Sequence, residues 1–424
     1  MIHCRIAPRG AASRLALISA PVFAACWLAP SSARGQEALR TAVEGDRSYQ
    51  NRRQQAIESP MPMHWGPVGF SIGTGVGLTY DDNVLLSETD AREDFIITPS
   101  VNVGVYYPLT DRTRLNFGIG VGYDIYTQRT RDDRFTLAPN SELALDFEIG
   151  QALITTYDRF TYSQDLLDQG DVASTGNYGG FNNTLGFRVS WVPEPLLMEG
   201  GYSWNLFLAD NQEFSDLDRN SHQVFFRLGQ ILAERTRWGV EISGSQTTYD
   251  TGKRNDFTSF SVGPYLEWQA TESLNLSLRG GWTWTMFDDN GLLAAPDDVS
   301  VPYASLVARH QLTAHFSHNL SAVREVSVGT ETQYLETLIF RYGLNWQLTD
   351  VLTPSAGVFY EKGKAPGLLA DEDYDRVGID FGLPFRLTDH LTLALSYQFT
   401  IRDSNLPTRG YDSNRATLNL NYQF

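Results

Sequence analysis

The chain has 424 residues, with 33 Lys and Arg against 50 Asp and Glu, a formal charge of −17. So acidic a balance leaves no basic surface to neutralise phosphates and excludes nucleic acid as a partner. Beyond residue 35 no apolar run reaches ~18 residues, which excludes a membrane-spanning helix. Both cysteines, Cys4 and Cys26, precede that point, so no disulfide or thiolate metal site is expected in the remainder.

The N-terminus reads as an export signal. Arg5, Arg9 and Arg14 precede an apolar stretch from Leu15 to Leu28, and Ala33-Arg34-Gly35 places small residues near a cleavage point. Residues 1–35 are therefore expected to be removed. That takes away four Arg and leaves a charge of −21, from 29 basic and 50 acidic residues. Lipoprotein processing at Cys26 is the alternative, although Phe23 is a poor residue at the first position of a lipobox. Residues 36–66 lack alternation and are broken by Pro60 and Pro62, so they read as a short periplasmic tail. Such a tail is either an unanchored terminus or a plug or docking segment.

From residue 67 to 424 the pattern changes to period two. In Arg114 to Tyr126, Leu115, Phe117, Ile119, Val121, Tyr123 and Ile125 alternate with Arg114, Asn116, Gly118, Gly120, Gly122 and Asp124. The same alternation runs through residues 340–348, 377–387 and 391–402, while residues 152–164 and 303–315 alternate poorly and leave their facing open. Short connections such as Leu109-Thr110-Asp111, Leu348-Thr349-Asp350 and Leu387-Thr388-Asp389 alternate with longer ones rich in Asp, Asn and Gly. These features predict an all-β fold, a transmembrane antiparallel up-and-down β-barrel with short periplasmic turns and longer extracellular loops. Counting segments gives about 18 strands, one of them over 136–149; merging within 301–347 would give 16.

A barrel this wide can enclose water. Its inward positions are predicted to carry Arg114, Arg188, Arg227, Arg279, Arg341 and Arg386, together with Asp124, Glu142, Asp146, Glu148, Glu241, Glu267 and Asp380. Charge is admissible in a lumen and costs roughly 2–4 kcal/mol against lipid at the midplane for a basic residue. The acids gather on the fourth strand and the bases on later ones. That split either sets up a transverse field or closes a polar lumen by mutual salt bridges. Trp191, Trp204, Trp268, Trp282, Trp284 and Trp346 fall on outward parity, while Tyr106, Tyr157 and Tyr265 point inward, where space-filling is their expected role.

Asp81-Asp82-Asn83, Asp210-Asn211, Asp288-Asp289-Asn290, Asp403-Ser404-Asn405 and Asp412-Ser413-Asn414 recur at strand ends. Oxygen donors of this kind can hold Ca²⁺, yet no complete calcium loop is present and Asx residues at strand ends are ordinary turn formers. No cofactor is expected. His64, His222, His310, His315, His318 and His390 show no hydrolase spacing, and neither Gly-x-Ser-x-Gly nor His-Glu-x-x-His occurs, so catalysis is not expected.

The final strand carries Leu418, Leu420, Tyr422 and Phe424 on one face, and ends on an aromatic. This resembles the C-terminal signature of bacterial outer-membrane barrels, in which Tyr422 and Phe424 would belong to the insertion signal read by the barrel-assembly machinery. A Gly-rich first strand (Gly69, Gly73, Gly75, Gly77) runs into Thr79-Tyr80-Asp81-Asp82-Asn83-Val84. With the export signal and short tail, that pattern is similar to the putative β-barrel porin-2 proteins, outer-membrane barrels often encoded in exopolysaccharide loci. The resemblance implies the outer membrane of a Gram-negative bacterium as location and its lipid as surroundings. It also implies a channel for small solutes or for polysaccharide export, and it transfers no catalytic residue. The competing expectation is a structural or adhesive barrel with a closed lumen and partner-binding acidic loops. A tail of ~30 residues is too short for the plug of an energised receptor.

Overall fold

The computed structural model describes residues 61–128, 133–139, 141–163, 170–174, 178–233, 235–292, 296–329, 332–366 and 371–424. The expected signal, 1–35, and the tail up to residue 60 lie outside the described residues.

One antiparallel sheet contains β1 (Met63–Trp65), β2 (Val68–Asp81), β3 (Asp94–Thr110), β4 (Thr113–Tyr126), β5 (Arg134–Leu137), β6 (Glu142–Ile149) and β7 (Ala152–Ser163). It continues with β8 (Gly180–Trp191), β9 (Leu196–Ala209), β10 (Arg219–Ala233), β11 (Thr236–Tyr249), β12 (Phe257–Gln269) and β13 (Leu274–Phe287). The last part is β14 (Val299–Thr313), β15 (Phe316–Val328), β16 (Tyr334–Trp346), β17 (Ser355–Ala365), β18 (Glu372–Arg386), β19 (Leu391–Ser404) and β20 (Tyr411–Gln423). Since β1 is a spur on β2, and β5 and β6 run in line along β4, these strands form eighteen staves. The ring closes where β2 pairs β20, from Gly73↔Gln423 to Asp81↔Arg415.

Burial is inverted relative to a water-soluble protein. On β10, Val224, Phe226 and Leu228 are 54%, 46% and 44% exposed, while Ser221, Gln223 and Arg227 on the opposite parity are 0–3% exposed. Apolar side chains out and polar side chains in is what a barrel surrounded by hydrocarbon requires. The strands whose alternation is poor obey the same rule: Thr155, Tyr157 and Arg159 of β7 lie on the inner face with Val299 and Tyr303 of β14, and β14, β15 and β16 are separate staves.

The segment expected as one strand over 136–149 is split between β5 and β6. Pro139 has no N–H to give the ladder there. Ser141 spans the gap, accepting from Gly120 N on Oγ (3.2 Å) and from Phe160 N on its carbonyl (3.1 Å). The repeated Thr-Asp turns also have a physical cause. Thr349 Oγ1 accepts from Leu352 N at 3.1 Å and Thr388 Oγ1 from Leu391 N at 3.0 Å, so the hydroxyl satisfies backbone donors that the turn leaves over.

The Tyr-Asp-Asp-Asn segment ties the seam. Arg415 donates to Asp81 Oδ2 at 2.9 Å, and Asn414 gives Asp82 both its backbone N–H and its side-chain amide at 2.7 Å. Buried Asn83 donates to the carbonyls of Ser87 (2.9 Å) and Asp412 (2.8 Å) and accepts from Ser87 N (3.0 Å). Asn83→Ala removes three hydrogen bonds, one across the join of first and last staves and two that shape the loop beside it, a loss of roughly 3 kcal/mol at about 1 kcal/mol each. A lower temperature for the gel-mobility shift that separates folded from unfolded barrel checks this.

Candidate functional site in the barrel lumen

A continuous ion-pair chain crosses the inner wall, with one charged side chain on each of six successive staves. Arg188 (β8) donates to Glu199 (β9) at 2.7 Å, and Arg227 (β10) lies 2.9 Å from Glu199, 3.5 Å from Glu241 (β11) and 3.3 Å from Glu267 (β12). Arg279 (β13) closes the row at 3.6 Å from both Glu241 and Glu267. Three cations therefore face three anions. The register makes this possible, because Arg227 lies directly opposite both Glu199 and Glu241. Glu199 was not among the residues expected in the lumen; it shares its parity with Leu197 and Ser203, opposite to outward Trp204.

The other expected lumen residues fall into separate groups. Arg114 pairs with Glu148 at 2.6 Å and Arg159 with Glu142 at 2.5 Å, so acids of the fourth stave meet arginines on both neighbours. Asp124 accepts from Thr98 at 2.8 Å and sits 3.6 Å from Arg134, and Asp146 accepts from Thr155 at 2.7 Å and Asn116 at 3.2 Å. Across the barrel, Arg341 lies against the Phe359 ring and Arg386 donates to the Asp350 carbonyl at 2.8 Å. Asp380 stands opposite Gly357 in the register. The acids are matched locally rather than gathered into one pole of a transverse field.

Inward aromatics lie flat on glycines. Tyr157 is the cross-strand partner of Gly186, Phe225 of Gly201, Tyr265 of Gly239, Tyr303 of Gly281, Phe359 of Gly378 and Tyr374 of Gly363. A Cβ on Gly281 would overlap the Val262 carbonyl and lie 2.7 Å from the Tyr303 ring. Each ring therefore covers bare backbone instead of standing into the channel, the packing known as aromatic rescue of glycine. Tyr265 also carries the Arg227 guanidinium 4.2 Å above its ring.

At the end bearing the longer loops, two segments fold across the mouth, each held by a buried arginine. Residues 170–174, between β7 and β8, reach the wall half-way round the ring. Arg402 Nε donates to Gly170 O at 3.0 Å, Arg409 to Asp171 O at 2.7 Å, and Ser174 N to Leu86 O at 2.8 Å. Glu372 holds both arginines, at 2.7 and 2.8 Å. Val172 and Ala173 pack with Leu86, Tyr178, Phe207, Leu217 and Tyr411 in an apolar cluster. A side chain at Gly170 would overlap Glu361 and the Tyr374 hydroxyl, so only glycine permits this approach.

The second segment is the far end of the β15–β16 hairpin. It continues to Val328↔Tyr334, although β14 leaves β15 above Ala304↔Arg324. Arg254, from the β11–β12 loop, donates to the carbonyls of Gly329 (2.9 Å) and Thr332 (2.8 Å) and pairs with Asp216 at 3.0 Å. Val326, Val328 and Tyr334 then lie over Ser243, Ser259 and Thr285 of the inner wall, with a cavity of only about 50 Å³ between them. That is room for a water molecule or two, so the hairpin end is packed down. Neither Arg254 nor Arg402 was among the expected site residues. Arg402 ends a segment of clear alternation, while Arg254 sits in a loop with no periodic signal.

The Asp and Asn groups at strand ends serve this loop architecture. Besides the seam, Asn211 accepts from Glu213 N at 3.2 Å to cap the short 3₁₀ helix Gln212–Leu217, and Asp256 accepts from the Asn290 amide at 2.8 Å.

Breaking the six-stave chain strands buried charge. Glu199→Ala leaves Arg188 and Arg227 without their shortest partner, and a loss of about 3 kcal/mol is expected. Urea midpoints of the detergent-refolded proteins check it, with Met198→Ala on the lipid side as the comparison.

The model of the family Putative beta-barrel porin 2 matches residues 70–424. No curated protein matches the sequence. Among solved structures the chain is similar to OccAB3 of Acinetobacter baumannii, at 10% identity and TM-score 0.48, covering 84% of this chain and 99% of that one. It is also similar to a BenF-like porin from Pseudomonas fluorescens Pf-5 (10%, TM-score 0.49, 84% and 99%). A third is the outer membrane protein OpdK from Pseudomonas aeruginosa (8%, TM-score 0.48, 84% and 99%). On the match to most of its length, the chain belongs to the family Putative beta-barrel porin 2 and is an outer-membrane β-barrel channel for small solutes.

Proposed function

We propose that this protein lets small hydrophilic solutes diffuse passively across the outer membrane of a Gram-negative cell, without catalysis, and that its arginine-held loops set the size limit. The observation that carries the reading is the pair of latches, Arg402 and Arg409 on residues 170–174 and Arg254 on the β15–β16 hairpin end. They draw two segments over the mouth from opposite sides, while the inward aromatics lie along the wall on glycine backbone. A lumen closed by its own side chains, as an adhesive barrel would have, is disfavoured by those rings. Passage of a polysaccharide would require both latches to release. Residues 1–35 serve as the export signal in this reading.

Guanidinium-to-carbonyl hydrogen bonds are worth about 1.5–3 kcal/mol each when charged, so removing a latch releases its segment without unfolding the barrel. Liposomes carrying the refolded protein should swell in a monosaccharide and resist a trisaccharide. Arg254→Ala with Arg402→Ala should admit the trisaccharide. An unchanged size limit would refute the latches, and absence of swelling in any sugar would refute the channel.

A further inference from the structure

We infer that the inner wall of β13–β15 carries an anion-binding site centred on Arg309, which takes small solutes bearing a carboxylate or phosphate; this rests on the channel reading above. Arg309 is the inner-facing residue six places beyond Tyr303 on β14, and it is exposed. The register sets Asn275 (β13) directly beside it on one side and Asn319 (β15) on the other. Gly343 and Gly357 follow Asn319 in the same row, with the Asn319 amide lying over the first and the Asp380 carboxylate over the second.

Most of the other lumen arginines are spoken for. Arg114, Arg159, Arg188, Arg227 and Arg279 each lie within 4 Å of a carboxylate, and Arg386 and Arg402 hold backbone carbonyls. Arg309 makes no hydrogen bond or ion pair with any described residue, and neither the Asn275 nor the Asn319 side chain does so. Arg237, likewise without a partner, stands opposite Glu267 in the register, which offsets its field. From the Arg309 row up to Arg279 and Arg341, the inner faces of β13–β16 present Ser277, Ser305, Val307 and Ser321 and no acid.

A guanidinium with an amide about 5 Å away across the sheet on either side forms a donor-rich row with no carboxylate directly beside the charge. Such a row attracts an anion crossing the lumen, and the fork of the guanidinium matches carboxylate and phosphate oxygens. The six-stave ion-pair chain is neutral, so an unpaired cation sets the sign of the local field.

The test uses the refolded full barrel in a planar bilayer under a KCl gradient, with added citrate as the probe anion. The reversal potential should show chloride preferred over potassium, and citrate should reduce the current. Arg309→Gln should lower the permeability ratio and weaken the citrate block about threefold, the effect of removing one charge a few ångströms from an ion in water. Arg309→Lys should restore the chloride preference, and Arg324→Gln on the outer face should change neither. A conducting protein that prefers potassium, or whose selectivity and citrate block ignore Arg309→Gln, overturns this site and leaves the channel standing. A folded protein that does not conduct removes the channel and the site together.

Discussion

Hydrocarbon offers no partner to a backbone N–H or C=O, so a sheet that crosses a membrane must pair every strand on both sides. All else in this structure follows from that closure, and the point at which it is made is the pairing of β2 with β20. Without the join, two staves would expose a row of unpaired groups to lipid. The Asp81–Asn83 segment sits at the upper end of the join, and its side chains bond across it to Asp412, Asn414 and Arg415. The motif that marks the resemblance is thus the clasp of the ring.

Closure fixes parity, and parity fixes where charge can go. A strand that alternates Leu228 with Arg227 has only one way to face. Once turned inward, the arginines meet a second constraint, because a wall of close-packed staves removes much of their water. Arg227 is 3% exposed and has three carboxylates around it. Buried cations of this kind are tolerated when their geometry supplies several acceptors. The same logic at the mouth uses carbonyls: Arg254 and Arg402 satisfy strap backbone that would otherwise lose its hydrogen bonds on leaving water. Paired groups stabilise the wall, and the few unpaired ones remain available to solutes.

The sequence reveals whatever repeats every second residue. The eighteen-stave barrel and the short Thr-Asp turns were legible because lipid imposes one pattern on every strand and a turn reuses one local hydrogen bond. Pro139 could have shown where the fourth stave breaks, since a missing N–H is a property of one residue. Glu199 was missed although its strand was recognised, because inward facing does not reveal which strand neighbours provide Arg188 and Arg227. The latches were beyond reach for a different reason. Arg254 meets Gly329 and Thr332, and Arg402 meets Gly170, across separations of 75 residues or more. No periodicity encodes such contacts. They exist only after the ring has closed and brought distant loops over one mouth.

The central claim is a water-filled lumen lined by one parity of the strands. Single cysteines placed in turn at Asn319, Leu320, Ser321, Ala322 and Val323 of β15, in a background lacking Cys4 and Cys26, test it most directly. A charged, membrane-impermeant thiol reagent should label positions 319, 321 and 323 in the refolded barrel and spare 320 and 322. Labelling of the even positions, or of none, would contradict the account.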